Sequence, residues 1–326
     1  MLASQKLILG ALQGISELFP VSSLGQTILL TALLKWEVDA AEFLPFLVAL
    51  HLATAIALLI YFWKDWKGVV AAFVNGLKRG QPVYDRDSKF AWLLIAGTVV
   101  VGLMGLVFEK KLRALFDNPR YAWIVAVILI LNGVIMLFAD VLKKRAGHPA
   151  ASAAATDNVL AADPATDIPT ERNSATDLTY IEAASIGATQ SFALLPGISR
   201  SGVTIVAGLL AGLSYEEAGR FSFMLATPVI GLAAILKVPR LLTPDARPEL
   251  MINLAAAVVA GITAYLSTRF LMRYFRHHRL GPFGWFCIIF GIFSVTMLRL
   301  GGTKSDVQPM NPQPASAQWI QPSPRP

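Results

Sequence analysis

Glu17, Ser23 and Arg200 are the residues whose types best suit chemistry on a phosphate group. Glu17 is the one charged residue between positions 7 and 34. An ionisable side chain inside an apolar run is costly at membrane depth and is a candidate for function; its plain alternative is a carboxylate near headgroups or in a structural pair. Arg200 sits between Ser199 and Ser201, with Gly197 and Gly202 around it. A guanidinium presents a planar fork that matches phosphate oxygens. The glycines let backbone approach an anion, and a serine-rich turn opening a helix adds hydroxyl and amide donors where the dipole favours negative charge. Arg200 can equally pair with Glu17 and tie two segments together. Ser22 and Ser23 follow Pro20. One hydroxyl, activated by Glu17, is a candidate to attack phosphorus; the other has the plain role of capping the next helix.

Gln13 and Glu17 are i, i+4 neighbours, which puts both on one face of a helix. Gln13 and Gln26 can orient a phosphate, a water or a metal ligand, but neither is a general base. His51 lies alone in an apolar run, where a histidine is read first as a hydrogen bond between helices. Asn132 is read the same way.

The segments that position these residues are membrane spans. Of the 326 residues, 55% are hydrophobic and 15% charged, against about 25% charged in soluble domains. Residues 44–63, 90–108, 121–139, 250–268 and 280–298 contain no Asp, Glu, Lys or Arg. Each is long enough to cross a hydrocarbon core of about 30 Å as a helix. Residues 221–236 form a sixth span, with Lys237 snorkelling at its end. Backbone groups cannot go unpaired in lipid, so helices are expected; no strand period argues for a barrel. The single cysteine, Cys287, excludes a disulfide framework. The net charge of +7 is gathered at span ends, where it meets headgroups rather than nucleic acid. No cleavable signal is expected, since residues 1–12 hold only Lys6 as a basic residue.

The chain falls into two similar halves, 1–142 and 181–300. A linker at 143–180, rich in Ala, Asp, Thr and Pro, separates them, and a Pro-, Gln- and Ser-rich tail occupies 301–326. Each half opens with two short apolar segments broken by a polar turn, then continues with three spans. The turns share Pro-x-x-Ser, as Pro20 to Ser23 and Pro196 to Ser199. Gln13 and Gln190 precede these prolines. An odd number of crossings per half makes the halves inverted repeats. Such proteins place broken helices at the midplane, so residues 7–34 and 181–213 are read as re-entrant helix–loop–helix pairs; kinked spanning helices are the alternative. The expected architecture is an all-α integral membrane protein of six transmembrane helices and two re-entrant pairs. Loop charge sets the orientation. Residues 64–89, 143–145 and 269–279 share one side and hold thirteen basic residues, against seven in 110–120 and 237–247. The richer side is expected to be cytoplasmic, with both termini periplasmic.

The stretch Gln13-Gly-Ile-Ser-Glu17-Leu-Phe-Pro-Val-Ser-Ser23 resembles the first signature of the bacterial undecaprenyl-diphosphate phosphatases, or bacitracin-resistance proteins. Leu195-Pro-Gly-Ile-Ser-Arg-Ser-Gly-Val-Thr204 resembles the second, and Phe221-Ser-Phe-Met-Leu-Ala-Thr-Pro228 the stretch after it. The resemblance runs from about residue 7 to 300. It implies hydrolysis of undecaprenyl diphosphate to undecaprenyl phosphate and phosphate at the bacterial cytoplasmic membrane, with a site opening to the periplasm. It implies a divalent cation, Mg2+ or Ca2+, with Glu17 as its protein ligand. Carried over by motif, Glu17, Ser23 and Arg200 are catalytic, and Gln13, Ser22, Gln26, Ser199, Ser201 and Thr204 contact substrate. Membrane lipids, and a second copy of the chain as a homodimer, are further expected partners. One departure stands out: the family's first signature commonly ends in a histidine where this chain has Gln26, and glutamine cannot supply a catalytic proton. A lipid flippase and a catalytically degenerate lipid-binding relative therefore stand beside the enzyme as readings.

Overall fold

The computed structural model describes residues 1–38, 40–116, 121–146, 174–239 and 248–300; the tail and most of the expected linker lie outside them. Eleven α-helices and no strand occur among the described residues. Two short helices come first, α1 (Ala3–Ser16) and α2 (Ser23–Leu33). They are followed by α3 (Ala40–Tyr61), α4 (Trp63–Lys78), α5 (Arg86–Phe116) and α6 (Ala122–Ala146). The second half repeats the opening with α7 (Tyr180–Thr189) and α8 (Arg200–Leu210), then adds α9 (Tyr215–Lys237), α10 (Leu250–Tyr274) and α11 (Gly281–Leu300). Six of these, α3, α5, α6, α9, α10 and α11, are long and apolar enough to cross a membrane. Each overlaps one of the six charge-free runs. The protein is a multi-pass membrane protein.

One helix has no counterpart among the expected elements. The sequence predicts a loop after the first span, whereas Trp63–Lys78 is helical and packs against the start of α5. Its lysines disqualified it as a span, and amphipathic period rather than run length is what marks it. The corner beyond it is fixed by Asp85, which accepts a 2.7 Å hydrogen bond from Ser88 N. That bond holds the Asp85 carboxyl below the usual carboxylate range.

Polar contacts sort the helix ends into two groups. At one end, buried Lys6 of α1 donates to Glu249 Oε2 (2.9 Å) and Asn253 Oδ1 (3.1 Å) and stands 3.9 Å from Glu42 Oε2. The starts of α1, α3 and α10 therefore meet there. At the other end, Tyr215 donates to Asp140 (2.7 Å), Arg220 to Asp65 (2.6 Å) and Arg276 to Glu216 (2.9 Å). Ala175 N, just ahead of α7, donates to Glu217 Oε2 at 2.9 Å. So α7 begins at the end where α9 begins and α10 finishes. Small residues allow the short helices close access to the bundle. A Cβ on Gly10 would stand 2.5 Å from Ala256 O of α10, and Gly187 of α7 lies equally tight on Gly97 of α5.

Gly197 is needed for its backbone. Its φ is +105°, and a Cβ there would lie 2.6 Å from Val125 O. Gly197→Ala is expected to destabilise the protein by about 1–3 kcal/mol from backbone strain alone, with the clash added. Thermal unfolding of the detergent-purified variant measures this, and an unchanged midpoint would sink the argument.

Candidate active site

Two turns meet inside the bundle. The first, between α1 and α2, carries Glu17, Pro20, Ser22 and Ser23; the second, ahead of α8, carries Pro196, Gly197, Ser199 and Arg200. Cross-links between them are specific. Gly197 N donates to Ser22 Oγ (3.1 Å) and Ser201 Oγ to Phe19 O (3.3 Å). Asn132 of α6 clasps both turns. Its Nδ2 donates to Pro20 O (3.2 Å), and its Oδ1 accepts from Ser199 N (3.0 Å). The ring of Phe19 packs against Phe270 and Phe283, which anchors the first turn to α10 and α11.

Glu17 is the hub. It follows the last residue of α1 and is 8% exposed. Arg200 Nη2 donates to its Oε1, and Ser23 Oγ donates to its Oε2. Gln13 Nε2 also donates to Oε2, at 2.9 Å, as i, i+4 spacing on α1 requires. His51 Nε2 of α3 stands 3.7 Å from Glu17 Oε2 and 3.4 Å from Gln13 Nε2. Removing either the carboxylate or the guanidinium would leave the other buried and unpaired, at a cost of about 3–5 kcal/mol.

The tautomer of His51 follows from its partners. Nδ1 lies 2.8 Å from Leu47 O, and a carbonyl only accepts, so Nδ1 carries the hydrogen. In the neutral ring Nε2 is then an acceptor, taking a 3.4 Å hydrogen bond from Gln13 Nε2 and facing the Glu17 carboxylate. The sequence reads His51 first as a hydrogen bond between helices and second as a catalytic group. A lone ionisable residue in a span was the available signal, but no pattern could place it beside Glu17.

The remaining motif residues are engaged as follows. Ser22 is the N-cap of α2, with φ +64°, and its Oγ accepts from Gly25 N (3.3 Å) as well as Gly197 N. A non-glycine residue at positive φ is strained; those two bonds hold it there. Gln26 Nε2 donates to Val21 O (3.0 Å). Ser199 is the N-cap of α8, accepting from Gly202 N (3.1 Å), and its Oγ lies 3.1 Å from Ser201 Oγ. Thr204 Oγ1 donates to Arg200 O (2.6 Å). Gln13, Ser23, His51 and Arg200 thus surround Glu17, while Ser22, Gln26, Ser199, Ser201 and Thr204 build and join the turns.

The donor set does not fit a resident divalent cation. Glu17 is the one carboxylate, and its oxygens already accept from Arg200, Ser23 and Gln13. No group of three or more His, Cys, Asp or Glu side chains suited to a metal occurs among the described residues. What the arrangement offers instead is a hydroxyl aligned by a carboxylate, a guanidinium beside it, and an imidazole nitrogen with a lone pair.

Known proteins are similar to this chain along most of its length. Undecaprenyl-diphosphatase 2 of Chromobacterium violaceum is 42% identical over 296 residues, covering 89% of this chain and 96% of that protein. Undecaprenyl-diphosphatase of Mycolicibacterium paratuberculosis is 41% identical over 305 residues, covering 91% and 97%. That of Granulibacter bethesdensis is 43% identical over 305 residues, with the same coverage. The sequence model of bacitracin resistance protein BacA matches residues 6–293. With both signature turns inside the matched region, this chain belongs to the BacA bacitracin resistance protein family.

Proposed function

We propose that this protein is a membrane phosphatase that hydrolyses undecaprenyl diphosphate to undecaprenyl phosphate and phosphate, returning the lipid carrier used in cell-wall synthesis. The observation that carries this reading is the meeting of Glu17, Ser23 and Arg200 from turns 183 positions apart. The names of the relatives agree with it.

Ser23 is the nucleophile in this reading. Its hydrogen points at Glu17 Oε2, which leaves the oxygen lone pairs free for phosphorus. The Ser23 Oγ–P bond forms, the bond from that phosphorus to the bridging oxygen breaks, and the electron pair leaves on the lipid phosphate. That product needs no added proton at neutral pH, because the second pKa of a phosphate monoester is about 6. The serine proton passes to His51 Nε2, across the Oε2 atom that both groups face. Water then attacks the phosphoserine and the Ser23 Oγ–P bond breaks; His51 returns its proton to Ser23 Oγ, and the phosphate leaves with both hydrogens of the water, shedding one to solvent. Arg200 carries the charge that builds on the equatorial oxygens. Any Mg2+ or Ca2+ is brought by the diphosphate oxygens, a donor type that suits both ions.

The halves are read as inverted repeats. α1 and α2 have 14 and 11 residues, about 21 and 17 Å at 1.5 Å per residue, which is short of a bilayer core. The first short helix of each half packs on the other half: α1 lies on α10 as α7 lies on α5. The opposed starts of α1 and α7 support the same reading, with re-entrant pairs meeting at the midplane. The basic side faces the cytoplasm of the inner membrane, and the site opens to the periplasm.

Full-length protein in detergent, given undecaprenyl diphosphate with and without chelator, is expected to release inorganic phosphate, and Ser23→Ala to abolish release. Slow turnover by Ser23→Ala would make the serine an orienting group and water the nucleophile. No release by the natural protein would overturn the function.

A further inference from the structure

We propose that α4 is a binding surface for the headgroups of anionic phospholipids, in the leaflet at the end of the bundle where α5, α7 and α9 begin. The helix starts one residue beyond the first span, with buried Phe62 between them. At 3.6 residues per turn its side chains divide into three adjoining arcs. One arc holds Trp66, Val69, Ala72, Phe73 and Gly76, which are turned to the protein. The next, about 60° wide, holds Leu77, Val70, Trp63 and Val74, which are 51%, 52%, 54% and 39% exposed. The third, of about the same width, holds Lys67, Lys78 and Lys64, all exposed. An apolar stripe flanked by lysines is the pattern of a helix lying in the membrane interface, with its apolar side in acyl chains and its cations at phosphate level.

The charges point to an anionic partner. Asp65, the one acid on the helix, turns inward to Arg220. Lys64, Lys67 and Lys78 have no carboxylate partner among the described residues. Lys78 and Arg79 sit at the C-terminal end, where the helix dipole itself favours cations. Lys64 sits in the first turn, where the dipole opposes a cation. The helix thus holds a lysine against its own dipole, beside four exposed apolar side chains that water does not favour. An anionic headgroup layer satisfies both features; a neutral leaflet satisfies only the second.

Quenching of tryptophan by brominated lipid tests this. Full-length protein is placed in phosphatidylcholine vesicles containing equal small fractions of phosphatidylglycerol or phosphatidylcholine brominated near the headgroup. The signal of Trp63 is the difference between the natural protein and Trp63→Phe. The brominated phosphatidylglycerol is expected to be at least fivefold enriched at Trp63 over brominated phosphatidylcholine, since one lysine near a charged surface is worth about that factor. The triple variant Lys64→Gln, Lys67→Gln, Lys78→Gln should lose the preference and keep quenching by both lipids. Equal quenching in the natural protein, or an unchanged preference in the triple variant, overturns the proposal. So does a Trp63 that neither lipid quenches, which would mean that water or a second copy of the chain covers the stripe.

Discussion

Arg200→Ala is expected to slow phosphate release by about 10³–10⁵-fold, the range seen when an arginine that neutralises a transferring phosphoryl group is removed. Two losses combine. The terminal phosphate loses the cation that balances its developing charge, and the Glu17 carboxylate is left buried beside an incoming anion. Arg200→Lys separates them. A lysine restores a positive charge near Glu17 and should recover most of the lost thermal stability. It should recover little of the rate, because an ammonium cannot hold Glu17 and phosphate oxygens in one plane. Phosphate release and unfolding temperature measured on both variants decide the matter. Turnover of Arg200→Ala within tenfold of the natural protein would remove Arg200 from the chemistry.

His51→Gln is also expected to carry a large effect. If His51 Nε2 takes the nucleophile's proton, its loss should lower kcat by about 10²–10⁴-fold, the usual worth of general acid–base assistance. The sign of the pH dependence follows. A base must be unprotonated to act, so the natural protein should lose activity on the acid side of its pH profile. His51→Gln should lose that limb of the profile as well as the rate. Imidazole added to His51→Ala should restore part of the turnover, because the residue is partly open to solvent. A uniform fall at every pH, with no rescue, would mean that His51 only braces Gln13. Gln26→His is the contrast: a faster enzyme whose gain titrates with the new ring would move proton transfer to position 26.

Much of this site was legible before its geometry was known, for a physical reason. Charges are so costly in apolar runs that Glu17 and Arg200 had to be functional, paired, or both. The six spans were legible because their runs are long and free of charge. What stayed hidden depends on conformation rather than on residue type. Two adjacent serines look alike in sequence; the positive φ of Ser22 turns its hydroxyl to Gly197 N and leaves Ser23 facing Glu17. Asn132 was read as a tie between helices, yet its clasp on both turns depends on how α6 passes them. α4 was missed because a search for uncharged runs skips a helix with lysines at its surface.

The wide chain separation of the central ion pair has a consequence in time. Ribosomes add about 5–20 residues per second, so Glu17 is made roughly 10–40 s before Arg200. Its other partners, Gln13, Ser23 and His51, all belong to its own half. The carboxylate can therefore wait among local donors while the second half is synthesised. Among the described residues, Arg200 meets a carboxylate across the seam between the halves. Chains stalled after the first half should persist in the membrane, whereas the second half expressed alone should be cleared, because its turn was built to arrive last.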